Sequence, residues 1–178
     1  MPALNPYMFR EYDIRGKESN EELNVTSVGL ITKSYGTFLR KRGVTSAVVG
    51  HDNRETSEAF YRTAAEALQG TGINVIGIGM CLTPMMYWAQ YHFKTEGGLM
   101  ITASHNPSGW NGVKLAYGYS YTLIGDEINE IREVAESGGF ETGAGALKEE
   151  TITQEYFKDI LSRAKLSRPL KVLVNTAN

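Results

Sequence analysis

The chain has 178 residues, of which 42% are hydrophobic, so its length allows one or two domains with a sizeable core. Its 18 basic and 20 acidic residues give a net charge of −2 without a block of like charges, which argues against a nucleic-acid-binding surface and a polybasic membrane anchor. With one cysteine, Cys81, no signal-like apolar N-terminus and no apolar run of membrane-spanning length, we expect a soluble cytoplasmic protein that partners neither nucleic acid nor membrane.

Strand and helix patterns alternate almost throughout the chain. Apolar residues at spacings of three and four indicate helices, and short apolar runs indicate buried strands. In chain order the predicted elements are a helix from 24 or 26 to 42, a strand over 46–50, a helix over 57–70, a strand over 73–78, a helix over 83–93, strands over 99–101 and 113–115, helices over 126–137 and 153–165, and a strand over 170–175. This alternation predicts a three-layer α/β domain.

Helix and loop boundaries follow from capping and turn residues. Ser57 is a candidate cap for the second helix, and Thr83 followed by Pro84 is a favoured start for the third. The glycine-rich segment 138–145 is predicted to be a mobile surface loop. The segment His51 to Arg54 follows a buried strand, and we expect a structural histidine there and an ion pair between Asp52 and Arg54 that braces the loop.

The most informative stretch runs from residue 97 to residue 115. An apolar run over 99–101 ends in small and polar residues, Asn-Pro at 106–107 is a turn signal, and Asn-Gly at 111–112 predicts a second turn before the next strand. Ser104 therefore lies at the end of a strand, where α/β sheets present ligand-binding groups. From these residues alone, an ordinary turn is favoured, because a lone Ser-His pair in a loop is more often part of a turn than a nucleophilic site.

The hexapeptide Thr-Ala-Ser-His-Asn-Pro at 102–107, with Lys114 ten residues beyond the serine, resembles the active-site loop of the phosphohexomutases, the phosphoglucomutase and phosphomannomutase family. The resemblance implies that Ser104 carries a phosphoryl group, exchanges it with a sugar phosphate and binds Mg²⁺ through a phosphate oxygen. It also implies that Lys114 is a general acid/base or an electrostatic partner of the sugar oxygen. His105 would donate a hydrogen bond to the phosphate or hold the turn, and Thr102 and Asn106 would help to bind phosphate.

The segment Phe-Arg-Glu-Tyr-Asp-Ile-Arg-Gly at 9–16 resembles the opening of the phosphomannomutase/phosphoglucomutase branch, whereas the phosphoglucosamine branch opens differently. By this resemblance Tyr12 and Arg15 approach the phosphoserine. A guanidinium suits this task because it grips phosphate with two parallel hydrogen bonds and keeps its charge.

The resemblance further implies a mixed four-stranded sheet, with one antiparallel strand, between helical layers. Residues 1–168 would form domain I and residues 169–178 would open a truncated second domain. The family's metal loop, sugar-selecting loop and distal phosphate site are absent from these 178 residues. We therefore expect the first domain of a larger mutase, inactive alone, with the remaining domains and hexose phosphates as partners, Mg²⁺ as metal, and glucose 1,6-bisphosphate or an equivalent as activator.

Three alternatives stay open at this point. The chain is also compatible with a phosphoglucosamine mutase fragment, or with a non-catalytic phosphate- or nucleotide-binding module that uses loops at Gly77 and Ser104. The third alternative is a fragment of an interaction or scaffold protein. Glucose and mannose phosphates are not distinguished, because the sugar-selecting loop is absent.

Overall fold

The computed structural model describes residues 4–175. A short 3₁₀ helix, Pro6–Met8, precedes the first strand. The strands are β1 (Ile14–Lys17), β2 (Ser46–His51), β3 (Asn74–Met80), β4 (Gly97–Ile101), β5 (Trp110–Tyr117), β6 (Tyr121–Thr122) and β7 (Leu147–Glu149). The helices are α1 (Val25–Lys41), α2 (Ser57–Gly70), α3 (Thr83–Phe93), α4 (Asp126–Ser137) and α5 (Thr153–Arg163). No helix among these residues is both long and apolar enough to cross a bilayer.

All the strands belong to one sheet, in the order β1-β5-β4-β2-β3-β7, with β6 paired to β5. Strands β4, β2, β3 and β7 run parallel, and β5 runs antiparallel to both β4 and β1. The expected mixed sheet with one antiparallel strand is therefore confirmed at its centre. The described residues form seven strands instead of four, because the short strands β1, β6 and β7 extend the sheet.

Helices cover both faces of the sheet. Val49, Leu99 and Val113 pack in the core under α1, α2 and α4, whereas Val48 and Met100 pack in a second core under α3. Adjacent strand residues serve opposite cores because successive side chains point to opposite faces. This explains the short, nearly continuous apolar runs in the sequence. The predicted three-layer α/β/α arrangement is confirmed.

The helix starts differ in how well the sequence predicted them. Asn24 caps α1 and forms a capping box with Ser27, as the residue types favour. Ser57 is not a cap, because its hydroxyl donates to Asp52, and Thr56 precedes α2 without a side-chain cap. Thr83 also lies inside its helix, after Leu82.

Backbone packing bears on two other sequence predictions. The glycine-rich segment 138–145 is a surface loop as predicted, and its mobility stays a prediction. The glycine-rich segment is held against the end of α2, because the Gly143 and Gly145 N–H groups donate to the carbonyls of Gly70 and Gln69 at 2.9 and 2.8 Å. The Asn111–Gly112 turn is wrong, since both residues lie within β5. Gly112 is required there because an added Cβ would lie 2.7 Å from the carbonyl oxygens of Ile14 and Thr102.

The predicted strand over 170–175 is wrong for this structure, in which residues 164–175 form neither helix nor strand. Leu170, Val172, Leu173 and Val174 are exposed. An apolar run becomes a strand only where a neighbouring strand pairs with it, and none of the strands within 4–175 pairs with this segment. The predicted domain boundary after residue 168 stays a prediction.

Candidate active site

Ser104 lies on the loop that joins β4 to β5. The Thr102 N–H donates to the Gly112 carbonyl at 2.9 Å, and the Asn106 N–H closes a turn onto the Ala103 carbonyl at 3.0 Å. Ser104 adopts a left-handed backbone conformation with φ of +56°, which costs a non-glycine residue roughly 1–2 kcal/mol. Such strain persists only where the surroundings fix the backbone, and it is common at functional sites.

The polar groups of this loop shape the serine's surroundings. The Ser104 N–H donates to Thr102 Oγ1 at 3.0 Å, and Ser104 Oγ lies 3.3 Å from His105 Nδ1. Ser104 and His105 are both exposed. Thr102 thus orders the backbone of the loop, while the two exposed side chains are presented to solvent.

Arg15 supports the loop from β1. Its Nε and Nη2 lie 2.7 and 2.6 Å from Asp13 Oδ2, and its Nη1 donates to the Ala103 carbonyl at 3.1 Å and to Asn106 Oδ1 at 2.6 Å. These contacts use four of the five N–H groups of the guanidinium. Arg15 is 7% exposed, so bidentate binding of a phosphate would require its guanidinium to release Asp13 or the loop. The structure therefore brings Arg15 to the serine loop but engages it within the protein.

Lys114 lies in the middle of β5, two residues from Gly112. Because Gly112 pairs with Arg15 across the ladder, Lys114 and Arg15 share one face of the sheet. Lys114 Nζ lies 5.1 Å from the centroid of the Tyr12 ring, and Tyr12 is about half exposed. Burial lowers the pKa of Lys114, Asp13 opposes this shift, and the Arg15 charge adds to it. A lowered pKa increases the fraction of the lysine in its neutral form, the form that can accept a proton.

Arg54 is the main site residue that sequence analysis missed. The predicted ion pair with Asp52 is confirmed, with Nε 3.3 Å from Oδ2. The same guanidinium also donates to the carbonyls of Ser104 and Asn106 at 3.1 and 2.6 Å, and to those of Pro107 and Trp110 at 2.9 and 3.0 Å. The Asp-x-Arg pattern after β2 was the available signal, but only the folded sheet brings it beside the β4–β5 loop.

The neighbours of Arg54 are structural. His51 is buried, its Nδ1 lies 2.7 Å from the Asp52 carbonyl, and its ring packs against Tyr61 with centroids 5.1 Å apart. The structural role predicted for His51 is thus consistent with its contacts.

Gly77 lies inside β3, and an added Cβ would meet the Tyr61 hydroxyl at 2.1 Å. Gly77 therefore serves close packing and does not form a nucleotide-binding loop.

The site is rich in cationic groups and poor in metal ligands. Residues 4–175 contain no cluster of three or more His, Cys, Asp or Glu side chains that would hold a metal. The nearby carboxylates of Asp13 and Asp52 are paired with arginines. Mg²⁺ requires near-octahedral oxygen ligands. The described residues therefore do not by themselves fit a magnesium site, and a phosphate on Ser104 would add only part of its ligand set.

Comparison with known proteins decides the family. The profile described as "Phosphoglucomutase/phosphomannomutase, alpha/beta/alpha domain I" matches residues 6–142. The chain belongs to this family. The resemblance inferred from the serine loop and from the 9–16 segment is confirmed, as is its assignment to domain I of the family.

Individual relatives agree with this assignment. A phosphomannomutase from Salmonella montevideo is 34% identical over 177 residues, which cover 96% of this chain and 38% of the relative. A phosphoglucomutase from Neisseria meningitidis serogroup B is 33% identical over 180 residues, which cover 100% of this chain and 39% of the relative. The chain thus spans about two fifths of the length of these curated relatives, whose names include both sugars.

A solved structure has the same fold. The phosphoglucomutase/phosphomannomutase family protein from Burkholderia thailandensis superposes with a TM-score of 0.87 at 28% identity, over 94% of this chain and 38% of that chain. The serine loop and its two arginines therefore lie in a fold that the family uses for one domain of a longer protein.

Proposed function

We propose that this chain is the phosphoserine domain of a phosphohexomutase that interconverts hexose 1-phosphate and hexose 6-phosphate through a bisphosphate intermediate. The observation that carries the proposal is the exposed, left-handed Ser104 on a loop held by Arg15 and Arg54. Phosphoryl transfer depends on positioning and charge stabilisation more than on covalent chemistry by the protein. A serine fixed in this manner among cationic groups meets that requirement.

The transfer step assigns roles to the remaining residues. The bond between Ser104 Oγ and phosphorus breaks while a sugar hydroxyl oxygen bonds to the phosphorus. Lys114 in its neutral form accepts the hydroxyl proton, and the departing Ser104 oxygen takes up a proton from water. The lowered pKa of Lys114 increases its neutral fraction. In the return step the Ser104 hydroxyl loses its proton to water as its oxygen bonds to the other phosphorus of the bisphosphate. The sugar oxygen leaves, and Lys114 returns the proton to it.

The other predicted site residues assist this step. A phosphoserine carries roughly −1.5 to −2 charges. The Arg15 charge partly offsets them, as does Lys114 once it has accepted the proton. His105 lies beside Ser104 Oγ and would donate a hydrogen bond to the phosphate, while Thr102 and Asn106 keep the loop in shape. Tyr12 covers Lys114 and limits its contact with water.

The rest of the proposed mutase must come from outside residues 4–175. We propose that Mg²⁺ binds a phosphate oxygen on Ser104 together with further oxygen ligands supplied elsewhere. Additional domains would bind the sugar, and glucose 1,6-bisphosphate or an equivalent would prime the serine. The isolated chain is then expected to be inactive. Its preference for glucose or mannose and its cytoplasmic location stay predictions.

The proposal is tested by phosphorylation of Ser104. The complete enzyme is incubated with glucose 1,6-bisphosphate and Mg²⁺, and the site of modification is found by intact-mass and peptide analysis. We expect phosphate on Ser104, none in Ser104→Ala, and normal incorporation in the control Ser108→Ala, which removes another exposed serine of the same loop. Stoichiometric phosphate on another residue, with Ser104 unmodified, would refute the assignment.

A second assay tests the inactivity of the isolated chain. Purified residues 1–178 are expected to give no measurable conversion of glucose 1-phosphate to glucose 6-phosphate. Robust turnover that Ser104→Ala abolishes would show that the active site is complete within the chain.

A further inference from the structure

We propose that Arg54 is a positioning residue for Ser104, an inference that rests on the proposed phosphoserine function. Its guanidinium donates four hydrogen bonds to backbone carbonyls of the β4–β5 loop, two from Nη1 and two from Nη2. The recipients are spread over residues 104–110, so a single side chain fixes nearly the whole loop. Arg54 hydrogen-bonds the Ser104 backbone and not its hydroxyl, and it therefore acts through the loop's conformation.

Holding the β4–β5 loop in this way requires an arginine. Four carbonyls that converge on one group need at least four donors in a planar, fixed arrangement, which a guanidinium provides and a three-donor ammonium does not. The left-handed backbone of Ser104 is unfavourable by itself. It is maintained only while the surrounding contacts over-determine the loop. The hydrogen bonds from Arg54 to the carbonyls of Ser104 and Asn106 lie on either side of His105 and supply this constraint.

Arg54 is itself held by the end of β2. The Asp52 N–H donates to the Ile101 carbonyl at 2.9 Å, which ties Asp52 to the end of β4. Asp52 Oδ1 accepts from the Arg54 N–H at 3.1 Å and from the Ser57 hydroxyl, while Oδ2 lies 3.3 Å from Arg54 Nε. A continuous set of contacts thus connects the rigid sheet to the serine loop.

The two arginines of the site have separate roles. Arg15 approaches from β1 and holds the Ala103 carbonyl and the Asn106 side chain. Arg54 follows β2, which lies on the other side of β4 from β5 and β1. It holds the part of the loop that follows Ser104. Loss of Arg54 would leave the Arg15 contacts to Ala103 and Asn106 in place and would free the backbone carbonyls of the loop from residue 104 to residue 110. We expect a slower transfer step with little change in sugar binding.

The kinetic test compares Arg54→Ala with Arg62→Ala in the complete enzyme. Arg62 is exposed, pairs with Glu58 and touches none of the loop, so its removal is a matched loss of one positive charge. We expect Arg54→Ala to lower kcat and the rate of Ser104 phosphorylation by about 10²-fold, the effect of misplacing a reacting group by about 1 Å. KM should stay within threefold, and Arg62→Ala should resemble the parent.

Chemical rescue and a conservative variant sharpen the test. Added guanidinium ion should restore part of the rate of Arg54→Ala, whereas ammonium at equal concentration should not. Arg54→Lys keeps the charge near Asp52 but lacks the donors for four carbonyls, so it should remain slow. It also serves as the variant to measure if Arg54→Ala does not fold.

An independent readout uses the 178-residue chain and needs no activity. Amide hydrogen exchange at Asn106, whose N–H closes the loop turn, should accelerate in Arg54→Ala or Arg54→Lys, while exchange at the core residue Leu99 stays unchanged. Unchanged exchange at Asn106, or phosphorylation within threefold of the parent, would overturn the role of Arg54. An unphosphorylated Ser104 in the parent would instead refute the proposed function, and the exchange measurement would still decide whether Arg54 fixes the loop.

Discussion

Tyr35 offers a stringent test of how the sheet beneath the serine loop is held together. It lies in α1 with no exposed surface. Its hydroxyl accepts from the Gly98 N–H at 2.8 Å, and lies 2.6 Å from the Ala116 carbonyl and 3.0 Å from the Gly98 carbonyl. Gly98 and Ala116 face each other across β4 and β5. The phenol therefore bridges the strand that leads to Ser104 and the strand that carries Lys114.

The substitution Tyr35→Phe removes this bridge while keeping the ring. It leaves the buried Gly98 N–H and one carbonyl without their partner, and each unsatisfied group costs about 1–3 kcal/mol. Allowing for partial relaxation, we expect the free energy of unfolding to fall by about 2–4 kcal/mol. For a chain of this size the melting temperature should then drop by roughly 4–16 °C.

Urea unfolding of the 178-residue chain at neutral pH measures the effect. The transition midpoint should fall while the denaturant slope stays constant, as expected if only stability changes. Tyr7→Phe is the matched control, because Tyr7 is 88% exposed and should change stability by less than about 0.5 kcal/mol. A loss below about 1 kcal/mol for Tyr35→Phe would refute the reasoning, since it would mean that the two strands pair equally well without the phenol.

The pH dependence gives a second signature of the same residue. Burial raises the pKa of Tyr35 far above its ordinary value of 10.0. Above pH 10 the tyrosine of the unfolded chain loses its proton, whereas Tyr35 in the folded chain keeps it. The contribution of Tyr35 to the free energy of unfolding is therefore constant below pH 10 and falls as pH rises further, by up to about 1.4 kcal/mol per pH unit. Tyr35→Phe lacks this dependence. Its deficit relative to the parent should therefore shrink above pH 10.

Three further predictions test the site and its packing. In the complete enzyme, Lys114→Met should lower kcat by ~10²–10⁴-fold with a smaller change in KM, the range of general acid–base catalysis; a rate within threefold of the parent would exclude that role. Gly36→Ala should destabilise the chain by about 1–3 kcal/mol in urea melts, because the new Cβ would lie 2.1 Å from Thr71 Oγ1. Gly70→Ala has open space at its Cβ and should stabilise α2 by up to about 1 kcal/mol, so equal effects of the two would contradict the packing. Ser104→Gly should be about 1 kcal/mol more stable than Ser104→Ala, since φ at this position is +56°; equal melting midpoints would show that the loop is not strained.

The local elements of this protein could be predicted from its sequence. The helix predicted over 126–137 coincides with α4, and α1 begins at Val25, between the two predicted starts at 24 and 26. Helical spacing and capping chemistry act within a few residues, so they are visible in the chain itself. The position of Ser104 after a buried strand followed in the same manner, from a short apolar run that ends in small and polar residues.

The contacts of the serine loop were decided by the tertiary structure. Arg54 meets the Ser104 carbonyl across 50 residues of sequence, and Arg15 meets that of Ala103 across 88. Asn111 and Gly112 carry a turn signal, yet they are strand residues because Gly112 admits the carbonyls of Ile14 and Thr102 at close range.

The order β1-β5-β4-β2 sets which side chains reach which carbonyls. Periodicity records only which face of an element is apolar, and it carries no information about the neighbours that an element will have in the sheet. The residues of the serine loop were therefore evident from the sequence, whereas the two arginines that hold the loop were matched to it only by the folded sheet.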